Sequence, residues 1–172
     1  MLSLRKTGVT ATALELDASN LKGIADFTEK YGSSADVVHF NAAGMSSPVL
    51  QDTSVESLEN DLRVNITSPL VTIKGCISHL AKKRKGTILL TGGALAMYAS
   101  ADYLTVSIGK AGIRAMTEAL FPQLAKSGIH IATVTVAKSV SPGSSAAREV
   151  ADEFWNLHNQ PRDKWAWEVV AK

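Results

Sequence analysis

The chain has one cysteine, Cys76, so no disulfide can close within it and a thiolate metal cluster lacks ligands. That usage matches a reducing compartment, and the expected location is the cytoplasm. The four histidines, His39, His79, His130 and His158, show no metal-ligand spacing, and no metal site is expected. His39 and His130 fall in apolar, strand-like stretches, where a hydrogen-bonded core histidine is the simpler reading. Long hydrophobic runs are missing: none approaches the roughly 18 residues that span a bilayer. The stretch from Met1 to Asp17 has neither the continuous apolar region nor the cleavage signature of a signal peptide. Charge of one sign is missing too. Lys+Arg number 18 and Asp+Glu 16, a net +2, too little to draw the chain to nucleic acid or to a membrane surface. The one dense basic run, Lys82-Lys83-Arg84-Lys85, follows an apolar helical pattern and reads as a solvated helix end. Repeats, low-complexity tracts and interdomain linkers are also lacking, and 172 residues with 45% hydrophobic content suffice for one domain with a real core.

What is present is an alternation of two periods. Val9 to Leu16 (VTATALEL) is rich in β-branched residues and predicts a strand ending at Asp17. Ser19 is placed to cap a helix from Asn20 to Tyr31, which Gly32 closes as a C-terminal glycine. Val37 to Phe40 is a short apolar run leading into Asn41-Ala42-Ala43-Gly44. From Val55 to Leu80 apolar residues recur at steps of three and four, predicting a helix of about seven turns capped by Ser54 or Thr53. The stretch from Gly86 to Arg114, GTILLTGGALAMYASADYLTVSIGKAGIR, reads as a buried strand, a small-residue loop and a helix with Lys110 in its first turns. That helix is expected from Ser107 to Lys126, bent or cut short at Pro122, which removes a donor and clashes with the carbonyl of Glu118. His130 to Val136 predicts a further strand, Ser139 to Ser145 a loop with the turn Pro142-Gly143, and Ala146 to His158 a last helix. The tail, Gln160 to Lys172, has no assignable pattern. Strands alternating with helices imply right-handed βαβ units and a doubly wound parallel sheet, an α/β three-layer fold with ligands at the carboxyl ends of the strands.

The segment around Lys110 resembles the active-site segment of the short-chain dehydrogenase/reductase family, down to Lys110-Ala111-Gly112. In that family a tyrosine stands four residues before the lysine and a serine thirteen residues before the tyrosine. Those places are Val106 and Gly93 here. Tyr98, Tyr103, Ser107 and Thr91 are the available stand-ins. Tyr103, about two helical turns before Lys110, is carried forward as the candidate acid, with packing of the pocket wall as the alternative. The resemblance implies that Lys110 holds the nicotinamide ribose and lowers the pKa of a neighbouring acid. It also implies that Asn65 supplies the family's asparagine. Pro69 denies the Asn65 carbonyl its helical hydrogen bond, leaving an acceptor that a relay water can use. Asn41-Ala42-Ala43-Gly44 resembles the family's Asn-Asn-Ala-Gly, where small residues let backbone approach the cofactor. Asp17 matches the acidic residue that contacts adenine, though a turn or capping aspartate would look the same. Pro142-Gly143 matches the turn that touches the nicotinamide.

The implied activity is hydride transfer between NAD or NADP and a small alcohol or carbonyl substrate, in a homodimer or homotetramer formed through the helices of Asn65 and Lys110. No glycine-rich phosphate loop precedes Asp17. The expectation is therefore a single Rossmann-like domain, 1–172, truncated at its N-terminus by about fifty residues, the first βαβ portion of the plan. Val9–Leu16 must then pair with Val37–Phe40, pair with another chain, or stay loose. Two other readings follow from the absent serine and tyrosine: an inactive domain that binds a ligand or partner, and a partial gene product.

Overall fold

The structure, a computed structural model, describes residues 7–46 and 49–172. Its elements run α1 (Leu21–Tyr31), β1 (Val37–Phe40), α2 (Val55–Leu62), α3 (Ser68–Lys83), β2 (Gly86–Gly93), α4 (Leu104–Lys126), β3 (Ile129–Val136), α5 (Ser145–His158) and β4 (Glu168–Ala171). The strands form one sheet in the order β1-β2-β3-β4, every pair parallel. The register sets Phe40 beside Leu90 and Gly93 beside Val136, which brings the carboxyl ends of β1, β2 and β3 to one edge of the molecule. This is the expected α/β fold.

Because the central strands are covered on both sides, β2 and β3 read as continuous apolar runs rather than as alternations. Ile88, Leu90, Ile129 and Ile131 point toward α3 and α4, where they meet Ile73, Leu80 and Ile113. Leu89, Ala132 and Val134 point the other way and meet Val150, Phe154 and Leu157 of α5. The basic run ends α3 as expected: Arg84 takes a left-handed conformation at φ 50°, and Lys83 donates to the Ala35 carbonyl at 3.0 Å.

Several expectations are corrected. Val9–Leu16 forms no strand, and Val9 and Leu14 are half exposed. Val37–Phe40 is an edge strand that pairs only with β2 among the described residues, so the segment stays outside the sheet. The cap of α1 is Asn20, whose side chain accepts from Gly23 N at 2.9 Å, while Ser19 turns to Asp17. Gly32 is right-handed at φ −59° and ends α1 through its own N–H on Thr28 O. The long helix is broken by a π-turn at Arg63–Thr67; Ser54 caps its first part, α2. Helix α4 begins earlier than expected, at Leu104, and runs through Pro122 to Lys126. Glu118, whose carbonyl Pro122 leaves without its helical donor, is an exposed residue.

The tail supplies the largest surprise, strand β4. Glu168 accepts from Arg114 (Nη2 at 2.9 Å) and from the Thr135 hydroxyl (2.6 Å). Trp165 stacks on His130 with ring centres 4.7 Å apart, and the Arg114 guanidinium lies 5.0 Å from the Trp167 ring.

His130 is 1% exposed, and its Nε2 lies 2.9 Å from the Ala166 carbonyl. Burial lowers the pKa of this imidazole below its ordinary 6.5, outweighing the Ala166 carbonyl, which favours the protonated ring. The unfolded chain therefore binds the proton that the folded chain refuses, and stability falls as pH drops below that value. Urea unfolding should show a lower midpoint at about pH 5.5 than at about pH 7.5, and His130→Gln should shrink that difference.

Candidate active site

The site begins at Pro69. Lacking an N–H, it cannot serve the Asn65 carbonyl, and the chain inserts a π-turn in which Ser68 N bonds back to Arg63 O. The wider turn carries Asn65 inward, where it is 4% exposed. Its Oδ1 accepts from Gly44 N at 2.9 Å, and its Nδ2 donates to Gly44 O at 2.7 Å and to Thr105 O at 3.4 Å. The amide thus completes both backbone groups of Gly44, in the loop that follows β1. One turn earlier, Asp61 is 2% exposed and accepts three hydrogen bonds. They come from Ser46 N (3.0 Å), Ser46 Oγ (2.7 Å) and Thr105 Oγ1 (2.8 Å).

Helix α4 is pressed directly onto this turn. A Cβ built on Gly109 would stand 2.5 Å from the Asn65 Cβ, so only glycine allows the approach. The next residue is Lys110. Its stem runs along Gly93, and its Nζ donates to the Thr91 carbonyl at 2.7 Å. The Thr91 hydroxyl donates to Asn41 Oδ1 at 2.7 Å; its only hydrogen is then spent, so His39 Nε2, 3.0 Å away, must be the donor to it. Thr91 therefore joins Lys110 through its carbonyl to Asn41 and His39 through its side chain. Burial pushes the Lys110 ammonium below its ordinary pKa. Among the described residues no carboxylate lies within ion-pair distance of it.

Asn41, Gly44, Asn65 and Lys110 are thus brought to one mouth of the sheet. Ala42 packs partly into the core and Ala43 is exposed. Tyr103 is not in the helix: it is the residue before α4, with ψ 38° and 47% exposure. Tyr98 is still more exposed, and Ser107 is occupied by the Ser100 backbone N–H at 3.2 Å. Val106 is half-buried one turn before Lys110. Asp17 sits in a surface turn, where the Ser19 backbone N–H and then its hydroxyl hold the carboxyl below its ordinary pKa. The adjacent Ala18 carbonyl accepts from the Ser68 hydroxyl, tying that turn to the start of α3. Pro142 and Gly143 lie in an exposed turn before α5; Gly143 has φ +76°, and its carbonyl accepts from Arg148 at 3.2 Å. Asp61 and Thr105 were not singled out by sequence reasoning. The one signal the sequence offered for Asp61 was an acid one helical turn before Asn65. Among the described residues no three His, Cys, Asp or Glu side chains gather as a metal site, and no helix is long and apolar enough to cross a membrane.

The family profile described as short chain dehydrogenase matches residues 2–149. The chain belongs to the short-chain dehydrogenase family. An uncharacterised oxidoreductase of Thermotoga maritima is 29% identical over 144 residues, 81% of this chain and 54% of that protein. A 3-oxoacyl-[acyl-carrier-protein] reductase of Chlamydia pneumoniae is 26% identical over 132 residues, 75% of this chain and 53% of that one. The chain thus spans about half the length of the curated relatives it matches. Among solved structures, a short-chain dehydrogenase from Rhodopseudomonas palustris superposes with TM-score 0.85 at 20% identity, over 98% of this chain and 77% of that one. A metagenomic short-chain oxidoreductase in complex with NADP gives TM-score 0.84 at 17% identity, over 98% and 77% of the two chains. At such identities the superpositions establish the fold.

Two glycines of α4 separate close packing from tolerance. At Gly112 an added Cβ meets only the flexible tip of Ile66, whereas at Gly109 it meets the Cβ of a buried, fully bonded asparagine. Alanine raises helix propensity by about 1 kcal/mol over glycine, but overpacking a rigid contact costs about 1–3 kcal/mol. Gly109→Ala should therefore lower the urea unfolding free energy, and Gly112→Ala should be near neutral.

Proposed function

We propose that this chain carries the nicotinamide-facing part of an NAD(P)-dependent oxidoreductase for a small alcohol or carbonyl compound. The observation that carries this reading is the juxtaposition of the Lys110 ammonium and the Asn65 amide at the carboxyl ends of β1 and β2. NAD or NADP would supply the hydride. Lys110 has three N–H donors and gives one to Thr91 O, so the others are available for ribose hydroxyls. The missing side chain at Gly93 keeps backbone open beside that ammonium. Asn41, Ala42, Ala43 and Gly44 would form the cofactor's floor, with Pro142-Gly143 at its nicotinamide end and Asp17 at its adenine end. The fit is to the nicotinamide-riboside half; no residue described here is assigned to the pyrophosphate.

In this reading Tyr103 is the proton donor or acceptor for the substrate oxygen, since Val106 has no exchangeable proton. Residues 1–172 act as one Rossmann-like unit in the cytoplasm. Self-association through the helices near Asn65 and Lys110 is supported by Val55, Leu62, Leu70 and Ile108, all exposed apolar residues on α2, α3 and α4. Val106 and Gly93 favour a second reading, a domain that binds nucleotide without turnover.

Titration with NADH and NADPH, followed by nicotinamide fluorescence, tests both readings. Binding should be detected, and Lys110→Met should weaken it about tenfold, the loss of one charge-assisted hydrogen bond. Failure of the unsubstituted chain to bind either nucleotide overturns the proposal. Carbonyl-dependent oxidation then separates the readings. If turnover is limited by the lack of a hydroxyl at positions 93 and 106, Gly93→Ser with Val106→Tyr should raise it about 10²–10⁴-fold; a serine fits at 93 because the atoms nearest its Cβ would be those of the Lys110 stem, at 3.4 Å or more.

A further inference from the structure

We propose that Asp61 is a positioning residue of this site, the second of two side-chain rungs that fix the loop after β1 against the first turn of α4. The inference rests on the reading that this loop and this helix hold the nicotinamide end of the cofactor. Asp61 and Asn65 lie one turn apart, on either side of the start of the π-turn, and both bridge the same two segments. Asn65 takes Gly44 and the Thr105 carbonyl; Asp61 takes Ser46 and the Thr105 hydroxyl. Thr105 is thus held at both ends, its carbonyl by one rung and its hydroxyl by the other. It lies between Tyr103 and Val106 in the segment that leads to Lys110.

A buried carboxylate with no cation at ion-pair distance among the described residues is an expensive way to fill the inner face of a helix; an apolar side chain would fill it without desolvating a charge. Here the charge is stabilised by three donors, and it donates nothing itself. Those donors come from positions 15 and 44 residues away, so the carboxylate exists in this environment only while loop and helix are both in place. Asn65 alone grips the loop at one residue, Gly44, about which it could pivot. The grip on Ser46, two residues on, removes that freedom and sets which way the Gly44 backbone faces. Asp61 touches neither cofactor nor substrate in this account; it acts through Ser46 and Thr105.

The test compares Asp61→Leu with Asp61→Asn in the whole chain. Leucine fills the space without bonds. Asparagine keeps the rung: its Oδ1 accepts from Ser46 N and Thr105 Oγ1, and its Nδ2 donates to a Ser46 hydroxyl turned to accept. Amide hydrogen exchange is read at Ser46, Gly44 and, as a folding control, β3. The Gly44 amide is the informative one, because its own acceptor, Asn65, is untouched in both variants. With Asp61→Leu, protection should fall about tenfold at Gly44 as well as at Ser46 while β3 is unchanged, and the NADH dissociation constant should rise about tenfold; Asp61→Asn should stay within about threefold of the original on both. Loss confined to Ser46, unchanged NADH affinity in Asp61→Leu, or an asparagine variant as damaged as the leucine one overturns the proposal. If the unsubstituted chain binds no NADH, the proposed function fails, and the Gly44 exchange comparison still decides whether Asp61 orients the loop.

Discussion

Everything at the mouth of the sheet depends on one buried amide. Asn65 satisfies both backbone groups of Gly44, a job that in a sheet falls to a neighbouring strand. It is available for this because Pro69 forbids an ordinary helix at that point, and the π-turn that results swings the side chain inward. The same turn is the surface on which α4 lands, at Gly109. A single proline therefore propagates into the placement of a loop, a helix and the lysine that follows the contact. Removing Asn65 would leave the Gly44 N–H and C=O without their partner in a half-buried loop, so the cost would fall on the site before it fell on the core.

The core has a different logic. Two apolar clusters, one on each face of β2 and β3, are built almost wholly from hydrocarbon side chains, with Cys76 and Met116 the sulfur-bearing members of the first. What they do not cover is the outer edge of β1. Between that edge and α1 lies a cleft of about 440 Å³ lined by Leu16, Phe27, Val38, Phe40 and Cys76 among others. Helix α1 thus rests mainly on α3 rather than on a strand of its own. The sheet is anchored at its other side instead, where the Arg114–Glu168 pair and the Trp165–His130 stack bind β4 to β3.

Legibility followed range. Strands β1, β2 and β3 and the helices were readable because their signals are local: apolar runs of strand length, steps of three and four, and a capping serine before α2. The lysine and asparagine were readable because fixed spacings on either side of them resemble a known family. What failed was whatever depends on a partner distant in sequence. VTATALEL has the propensity of a strand, but propensity alone does not make a ladder: the outer edge of β1 is open, and among the described residues the segment does not pair with it. The tail hides β4 because its leading residue is a glutamate, acceptable in a half-buried strand only through Arg114 and Thr135. Asp61 was hidden for the same reason; nothing local says that Ser46 and Thr105 will converge on it.

The site therefore separates holding from chemistry. The holding groups are intact and interlocked: Asn65 on Gly44, Lys110 on Thr91, Thr91 on Asn41, each bonded to backbone or to another member. The positions at which the family resemblance expects a proton-moving acid and its partner carry other residues. Valine stands one turn before the lysine, glycine lies under its stem, and the nearest tyrosine in sequence is an exposed residue ahead of the helix rather than on it. A partly buried ammonium without a carboxylate partner loses part of its hydration, and here a single backbone carbonyl is its one protein acceptor among the described residues. In the proposed function a bound ligand would supply further acceptors to this lysine. Ribose hydroxyls would do this without any catalytic tyrosine, so in the proposed function cofactor recognition does not depend on turnover.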